Sequence, residues 1–321
     1  MAVNKASGAV AGMAQLIGID IGGTNLRVGV VEDGKIVHEQ RSHADFNGIC
    51  RTHEPMAAWE TIIEILAAAL RPVLDLYPQV ASIGIGFPGF IDPVSGIIAQ
   101  SPNLPGLRDF DLGHDLAQVL GRSVTVENDA LAAAYGEFRL AAPASGNLIY
   151  IGLGTGVGGG LILAGRPYAG QHGVAMGIGH LIVETDGRPC GCGNRGCLEQ
   201  YASASGVSVS YRERTERNLD AEAIASLAQG RDANALQAYA AAGATLGQAV
   251  AHLAKTMDVG DIIIGGGMSA AWPLMQAAFD QRLQRDLIPV LRGRLAVRIS
   301  ASGDQAGIIG AALLGGVRSG S

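Results

Sequence analysis

A chain of 321 residues is long for one hydrophobic core, and two lobes are expected. With 48% apolar and only 16% charged residues it is globular, and a net charge of −6 leaves no electrostatic footprint for nucleic acid or an anionic membrane. No run of about 20 apolar residues marks a membrane span, so the expected setting is the cytoplasm, where clustered cysteines bind metal more often than they form disulfides.

In chain order, residues 1–15 (MAVNKASGAVAGMAQ) carry one lysine and mostly small side chains, lack the apolar run of a secretory signal, and read as a flexible tail. LIGIDIGG (16–23) is a strand ending in glycines, and 26–40 reads as two strands around an Asp33-Gly34 turn. Helical spacing predicts a helix over 56–77. ASIGIGFPGF (81–90) is a buried strand entering a Gly-Pro-Gly loop, and SVTVENDA (123–130) is a short strand that runs into a helix over 129–141. Residues 147–165 read as strand, glycine turn, strand; 204–256 as mostly helix; 261–267 as a strand ending in glycines; 304–316 as a closing helix. Alternating strands and helices indicate an α/β architecture. IGIDIGGTNLRVGVV (17–31) and IYIGLGTGVGGGLIL (149–163) share one plan, an apolar hairpin around a glycine turn, as a two-lobed phosphate clamp would need.

Backbone N–H groups in a glycine turn can surround phosphate oxygens without obstruction. That is one reading of DIGGTN and GLGTGVGGG; two ordinary glycine-rich hairpins is the other, with equal weight for each taken singly. No G-x-x-x-x-G-K-[ST] occurs, and Lys5, Lys35 and Lys255, the only lysines, lie outside the glycine loops. GTGVGG runs into β-type residues rather than a helix, which argues against a dinucleotide fold. Gly265, Gly266 and Gly267 form a third glycine turn, able to accept an adenine or ribose against bare backbone or simply to turn a strand into a helix.

Asp129, at a strand end, is the leading catalytic candidate: its carboxylate can take the proton of an attacking hydroxyl, with Asn128 holding a neighbouring hydroxyl. Capping the helix that starts there is the commoner role for such an aspartate. His180, Cys190, Cys192 and Cys197 supply one imidazole and three thiolates, a donor set suited to closed, structural tetrahedral zinc, with glycines at 191, 193 and 196 for the sharp turns. Unligated thiols or a redox pair are the alternatives.

Together these segments resemble the ROK family of sugar kinases and related repressors over residues 16–316. DIGGTNLR and GLGTGVGGG are similar to its two phosphate loops, ENDA to its catalytic segment, and GH…CGCGNRGCLE to its zinc signature. The resemblance implies a two-lobed actin/hexokinase-like ATPase fold of ribonuclease H-like lobes, with residues 16–122 and 303–321 forming the smaller lobe and 123–302 the larger, zinc-binding one. It implies ATP, Mg²⁺ and structural Zn²⁺ as cofactors and a homodimer. It makes Asp129 the general base and Gly89, Asn103, Asn128, His180 and Glu199 the sugar-binding residues. Asp20 falls near Mg²⁺, and Gly22, Gly23, Thr24, Asn25, Gly154, Thr155 and Gly156 around phosphate. The zinc knot then acts as a rigid support that fixes His180 and Glu199 against the substrate.

GVAMGIGH (173–180) places Gly177 where the family commonly has a glutamate that accepts hydrogen bonds from sugar hydroxyls. The expected activity is ATP-dependent phosphorylation of a hexose, most simply glucose to glucose 6-phosphate. Another hexose or an N-acetylhexosamine, such as N-acetylmannosamine, fructose, mannose or allose, is the alternative. A sugar-sensing regulator ranks behind both, since a DNA-reading module is expected to need more than the 15 residues before the first strand.

Overall fold

The computed structural model describes residues 15–22 and 25–319. Gly23 and Thr24, expected in the first phosphate loop, and residues 1–14 of the expected tail lie outside the described residues.

Strands β1 (Leu16–Ile21), β2 (Asn25–Glu32) and β3 (Lys35–His43) form an antiparallel meander. Asp33 and Gly34 join the last two with φ of 49° and 72°, the left-handed pair that matches strand twist. Helices α1 (Phe46–Thr52) and α2 (Pro55–Leu76) lead to β4 (Ser82–Phe87), which runs parallel to β1. A small hairpin, β5 (Phe90–Ile91) with β6 (Ile98–Gln100), and α3 (Leu112–Leu120) precede β7 (Val124–Asn128), parallel to β4. The first sheet therefore has the order β3-β2-β1-β4-β7.

After α4 (Asp129–Ala141) the plan repeats. Strands β8 (Leu148–Leu153), β9 (Val157–Leu163) and β10 (Arg166–Pro167) are antiparallel neighbours. A long segment carries α5 (Glu199–Ala202), α6 (Ala204–Thr215), α7 (Ala221–Gln229) and α8 (Ala233–Met257). Then β11 (Asp261–Gly265), α9 (Trp272–Asp286) and β12 (Ala296–Ile299) complete a second sheet, β10-β9-β8-β11-β12, with β11 and β12 parallel. Both sheets share one strand order and one pattern of directions, so the weak echo between the two glycine hairpins reflects a repeated unit. The chain ends in α10 (Gln305–Ser319), which packs on β1 and β4. On strand pairing the first unit runs through Asn128, so a boundary at residue 122 separates β7 from its own sheet.

Much of the glycine content serves helix packing rather than ligand approach. A Cβ on Gly18 would overlap the Ile308 carbonyl, and one on Gly84 the Ala311 carbonyl, both on α10. Where α4 crosses α10, Gly136 and Gly310 allow the two backbones to touch in the same way. These helices lie between the sheets and bring the start of α4 to the mouth of the first glycine turn. Among the described residues, no helix is long and apolar enough to cross a membrane.

Candidate active site and metal knot

Asp129 opens α4 at the C-terminal end of β7. The cap, however, is Asn128: its side chain accepts from Leu131 N at 3.0 Å and donates to Gly89 O and Asp129 Oδ1, each at 3.0 Å. Asp129 is thus released from the capping task that its position suggests, and its Oδ1 also accepts from its neighbour Ala130 N at 2.8 Å. The residue keeps part of its surface open while the carboxyl is surrounded by protein. Burial first, and then the nearby Asp20 charge, push its pKa up to about 7 against backbone and Asn128 hydrogen bonds that favour ionisation. A carboxylate poised near neutral pH has the affinity a general base needs.

The loops around it are tied together. Ser101 donates to Pro88 O and accepts from Leu104 N, so the segment with Asn103 rests on the Gly89 turn; Asn47 donates to Asn103 O at 2.6 Å. Phe90, next in chain, has its ring 6.5 Å from that of His180. Asn128 thus joins Asp129 to Gly89, while Asn103 is tied to that turn through Ser101 and His180 approaches it through Phe90.

The glycine turns behave differently from one another. Gly22 N bonds to Asn25 O at 2.8 Å, closing the β1–β2 turn. In the second turn Gly154 N bonds to Gly156 O at 2.9 Å, and open space surrounds the place of a Gly154 Cβ. Ser205 donates to the Thr155 carbonyl and Ala204 N to the Gly154 carbonyl, so both carbonyls of the turn are engaged from α6. Of the third turn only Gly267 is free of close neighbours; Gly265 packs on the Tyr150 ring, and Gly266, at φ 81°, on the Leu153 backbone.

Ligand atoms of His180, Cys190, Cys192 and Cys197 all lie within 4.8 Å of one another. Cys192 and Cys197 sulfurs are 3.6 Å apart, and Cys190 Sγ lies 3.8 Å from His180 Nδ1. Zinc–sulfur bonds of about 2.3 Å set tetrahedral edges of about 3.8 Å, so the residues fit the ion. Gly193 and Gly196 take φ of 95° and 75° to make the knuckle, whereas Gly191 has an ordinary φ. Burial, and then the two neighbouring thiols, push Cys197 up to about 12. Three thiols at this spacing cannot all ionise without a cation among them.

Three charged residues at the site make contacts that their motifs do not announce. Arg188, inside the knot, donates to Gln200 O, Gly206 O, Ser210 Oγ and Glu213, and its guanidinium lies 4.6 Å from the Tyr201 ring centroid. It rivets the metal loop to α5 and α6. Glu199, the first residue of α5, accepts from Val157 N through its Oε2 at 3.0 Å, so it braces the second glycine turn. Arg27 pairs with Asp20 and approaches Asp304, a contact within the first turn's own hairpin that no spacing rule announces.

The family model for the ROK family matches residues 16–316. The chain belongs to the ROK family. Among curated ROK relatives, the glucokinase of Thermotoga maritima is 32% identical over 93% of this chain and 96% of its own. The N-acetylmannosamine kinase of Vibrio cholerae is 31% identical over 79% of this chain and 84% of its own. A solved ROK family glucokinase from Streptomyces griseus, in complex with glucose and AMPPNP, superposes with a TM-score of 0.81 at 30% identity, covering 95% of this chain and all of that one. The two-lobed hexokinase-like fold is thereby shown.

Against the ROK pattern, Gly177 is the clearest departure. It is exposed, has φ −63°, and an added Cβ would meet only Val174 O at 3.4 Å. A side chain can therefore be built there without strain. Gly177→Glu is expected to lower the glucose KM by about 10- to 100-fold, the effect of one charge-assisted hydrogen bond of about 1.5–3 kcal/mol. Steady-state kinetics at fixed ATP checks this; an unchanged or raised KM would place the sugar hydroxyls away from residue 177.

Proposed function

We propose that this chain is an ATP-dependent kinase of a hexose hydroxyl, with glucose the expected substrate. The observation that carries the reading is Asp129: freed from capping by Asn128, raised to about 7, and joined through the Asn128 amide to the Gly89 carbonyl. As the sugar oxygen attacks the γ-phosphorus of ATP, Asp129 takes the hydroxyl proton, the bridging P–O bond breaks, and ADP leaves. Magnesium carried with the nucleotide supplies charge neutralisation. Asp20 is the carboxylate that would face it, and backbone N–H groups of the second turn, at Thr155 and Gly156, would receive phosphate oxygens. His180, held at Nδ1 by the metal knot, keeps Nε2 on the far edge of its ring for a sugar hydroxyl.

Similarity to a glucokinase from Thermotoga maritima and to a glucose complex from Streptomyces griseus favours glucose; similarity to an N-acetylmannosamine kinase keeps N-acetylhexosamines as the second reading, with Gly177 as the room they would use. A homodimer working in the cytoplasm completes the proposal. The test is ADP release with ATP and Mg²⁺ across glucose, mannose, fructose, allose, N-acetylglucosamine and N-acetylmannosamine. Glucose with the highest kcat/KM supports the first reading, an N-acetylhexosamine the second, and no turnover with any sugar by the zinc-loaded protein refutes both.

A further inference from the structure

Arg27 sits on β2 directly opposite Asp20 on β1, two residues beyond the first glycine turn, with 12% of its side chain exposed. Its Nη2 donates to Asp20. Nη1 stands 3.5 Å from Asp304 Oδ2 and makes no hydrogen bond. Among the described residues only two buried side-chain polar atoms lack a hydrogen bond, Arg27 Nη1 and Ser82 Oγ, and only the first belongs to a charged group. A buried charged donor is costly to leave incomplete, and such a group calls for an explanation such as a missing ligand.

The charges around it say which ligand. Asp20, Asp129 and Asp304 bring three carboxylates to this part of the cleft, and Asp20 is felt at Asp129. Neither described lysine supplies a cation there: Lys35 begins β3, at the far end from the turn, and Lys255 donates to Asp286 O. A glycine turn supplies partial charges only, whereas a transferring phosphoryl group carries full ones. The guanidinium fork matches a phosphate in geometry, and Asp20 already holds one of its nitrogens in place. Asp304, 59% exposed and loosely engaged, is the partner the guanidinium can give up.

We propose that Arg27 is a phosphate-binding catalytic residue: Nη1 donates to the polyphosphate of the nucleotide, in competition with Asp304. The proposal rests on the kinase reading above. The competition gives it a test that a merely structural ion-pair bridge would fail. Calorimetric titration of the full chain with ATP, first without metal and then with Mg²⁺, is made on the wild type, Arg27→Gln, Arg27→Lys and Asp304→Asn, with thermal melts to check folding.

Arg27→Gln is expected to weaken ATP binding by about tenfold or more and to leave glucose binding unchanged. Arg27→Lys, which keeps the charge and loses the fork, regains affinity but little of kcat. Asp304→Asn binds metal-free ATP as tightly as the wild type or tighter, because the competing carboxylate is gone. ATP binding by Arg27→Gln equal to the wild type, or a loss in Asp304→Asn as large as in Arg27→Gln, overturns the proposal. Should Arg27→Gln fail to fold, the Asp304→Asn and Arg27→Lys results decide it. A wild-type protein that does not bind ATP at all defeats the kinase reading instead.

Discussion

Asp129→Asn leaves a folded protein that still binds sugar and turns over about 10²–10⁴-fold more slowly. The amide keeps the size of the carboxylate and can still accept from Ala130 N, and Asn128 rather than Asp129 caps α4, so the helix start has no need of the charge. What disappears is the acceptor for the hydroxyl proton. Because burial and Asp20 raise the Asp129 pKa to about 7, the wild-type kcat/KM for sugar should fall tenfold per pH unit below about 7 and level off above it. The stability effect has the opposite sense. A folded-state pKa raised above the ordinary 3.8 means that stability present at low pH is lost as pH rises through 7, since the ionised form is the one the fold disfavours. The asparagine variant escapes that loss and is expected to melt at a higher temperature than the wild type at pH 8. An active Asp129→Asn enzyme, or one that is inactive because it unfolds, would remove Asp129 from the role of base.

Stripping the metal should cost sugar affinity before it costs the fold. Residues 181–198 have few apolar side chains of their own, and the knot closes through two isolated bridges, Ile182–Cys197 and Pro189–Arg195. An ion held by His180 and the three cysteines would replace the missing core there. His180 and Glu199 hang from its two ends, the first as a ligand and the second two residues after Cys197. Chelation, or Cys190→Ser, is therefore expected to raise the sugar KM by about 10- to 100-fold. Nucleotide binding should change less, since Arg188 still ties the loop to α5 and α6 and Glu199 still reaches Val157 N. Metal content by atomic absorption alongside KM for sugar and ATP checks this. A metal-free protein with unchanged sugar KM would separate the knot from the sugar site.

Short-range chemistry was legible from residue order. The Asp33-Gly34 turn, the strand-to-helix switch at Asn128-Asp129 and the Cys₃His knot all depend on residues close in sequence, and spacing alone displays them. Contacts between distant segments were not. The glycine turns suggested backbone approach to phosphate, yet Gly18, Gly84, Gly136 and Gly310 are there so that α10 can lie on β1, β4 and α4. That need arises only when residue 18 meets residue 308. Asn128 and Asp129 are both good caps, and which of them caps is decided by the Gly89 carbonyl, 39 residues upstream, holding the Asn128 amide. Arg27 and Arg188 look like ordinary surface arginines in the chain; their partners at 304 and at 200–213 become visible only after folding. Which sheet β7 joins is likewise set by its neighbour β4 and not by its own residues.

Phosphorus NMR of a reaction containing ATP, Mg²⁺ and glucose tests the central claim most directly, because it separates phosphoryl transfer to sugar from loss of phosphate to water. A sugar monophosphate signal should grow in equal amount with ADP, and about 10²–10⁴-fold more slowly when Asp129→Asn replaces the wild type. ADP accompanied only by inorganic phosphate, or no change in ATP with any of the six sugars, would contradict it.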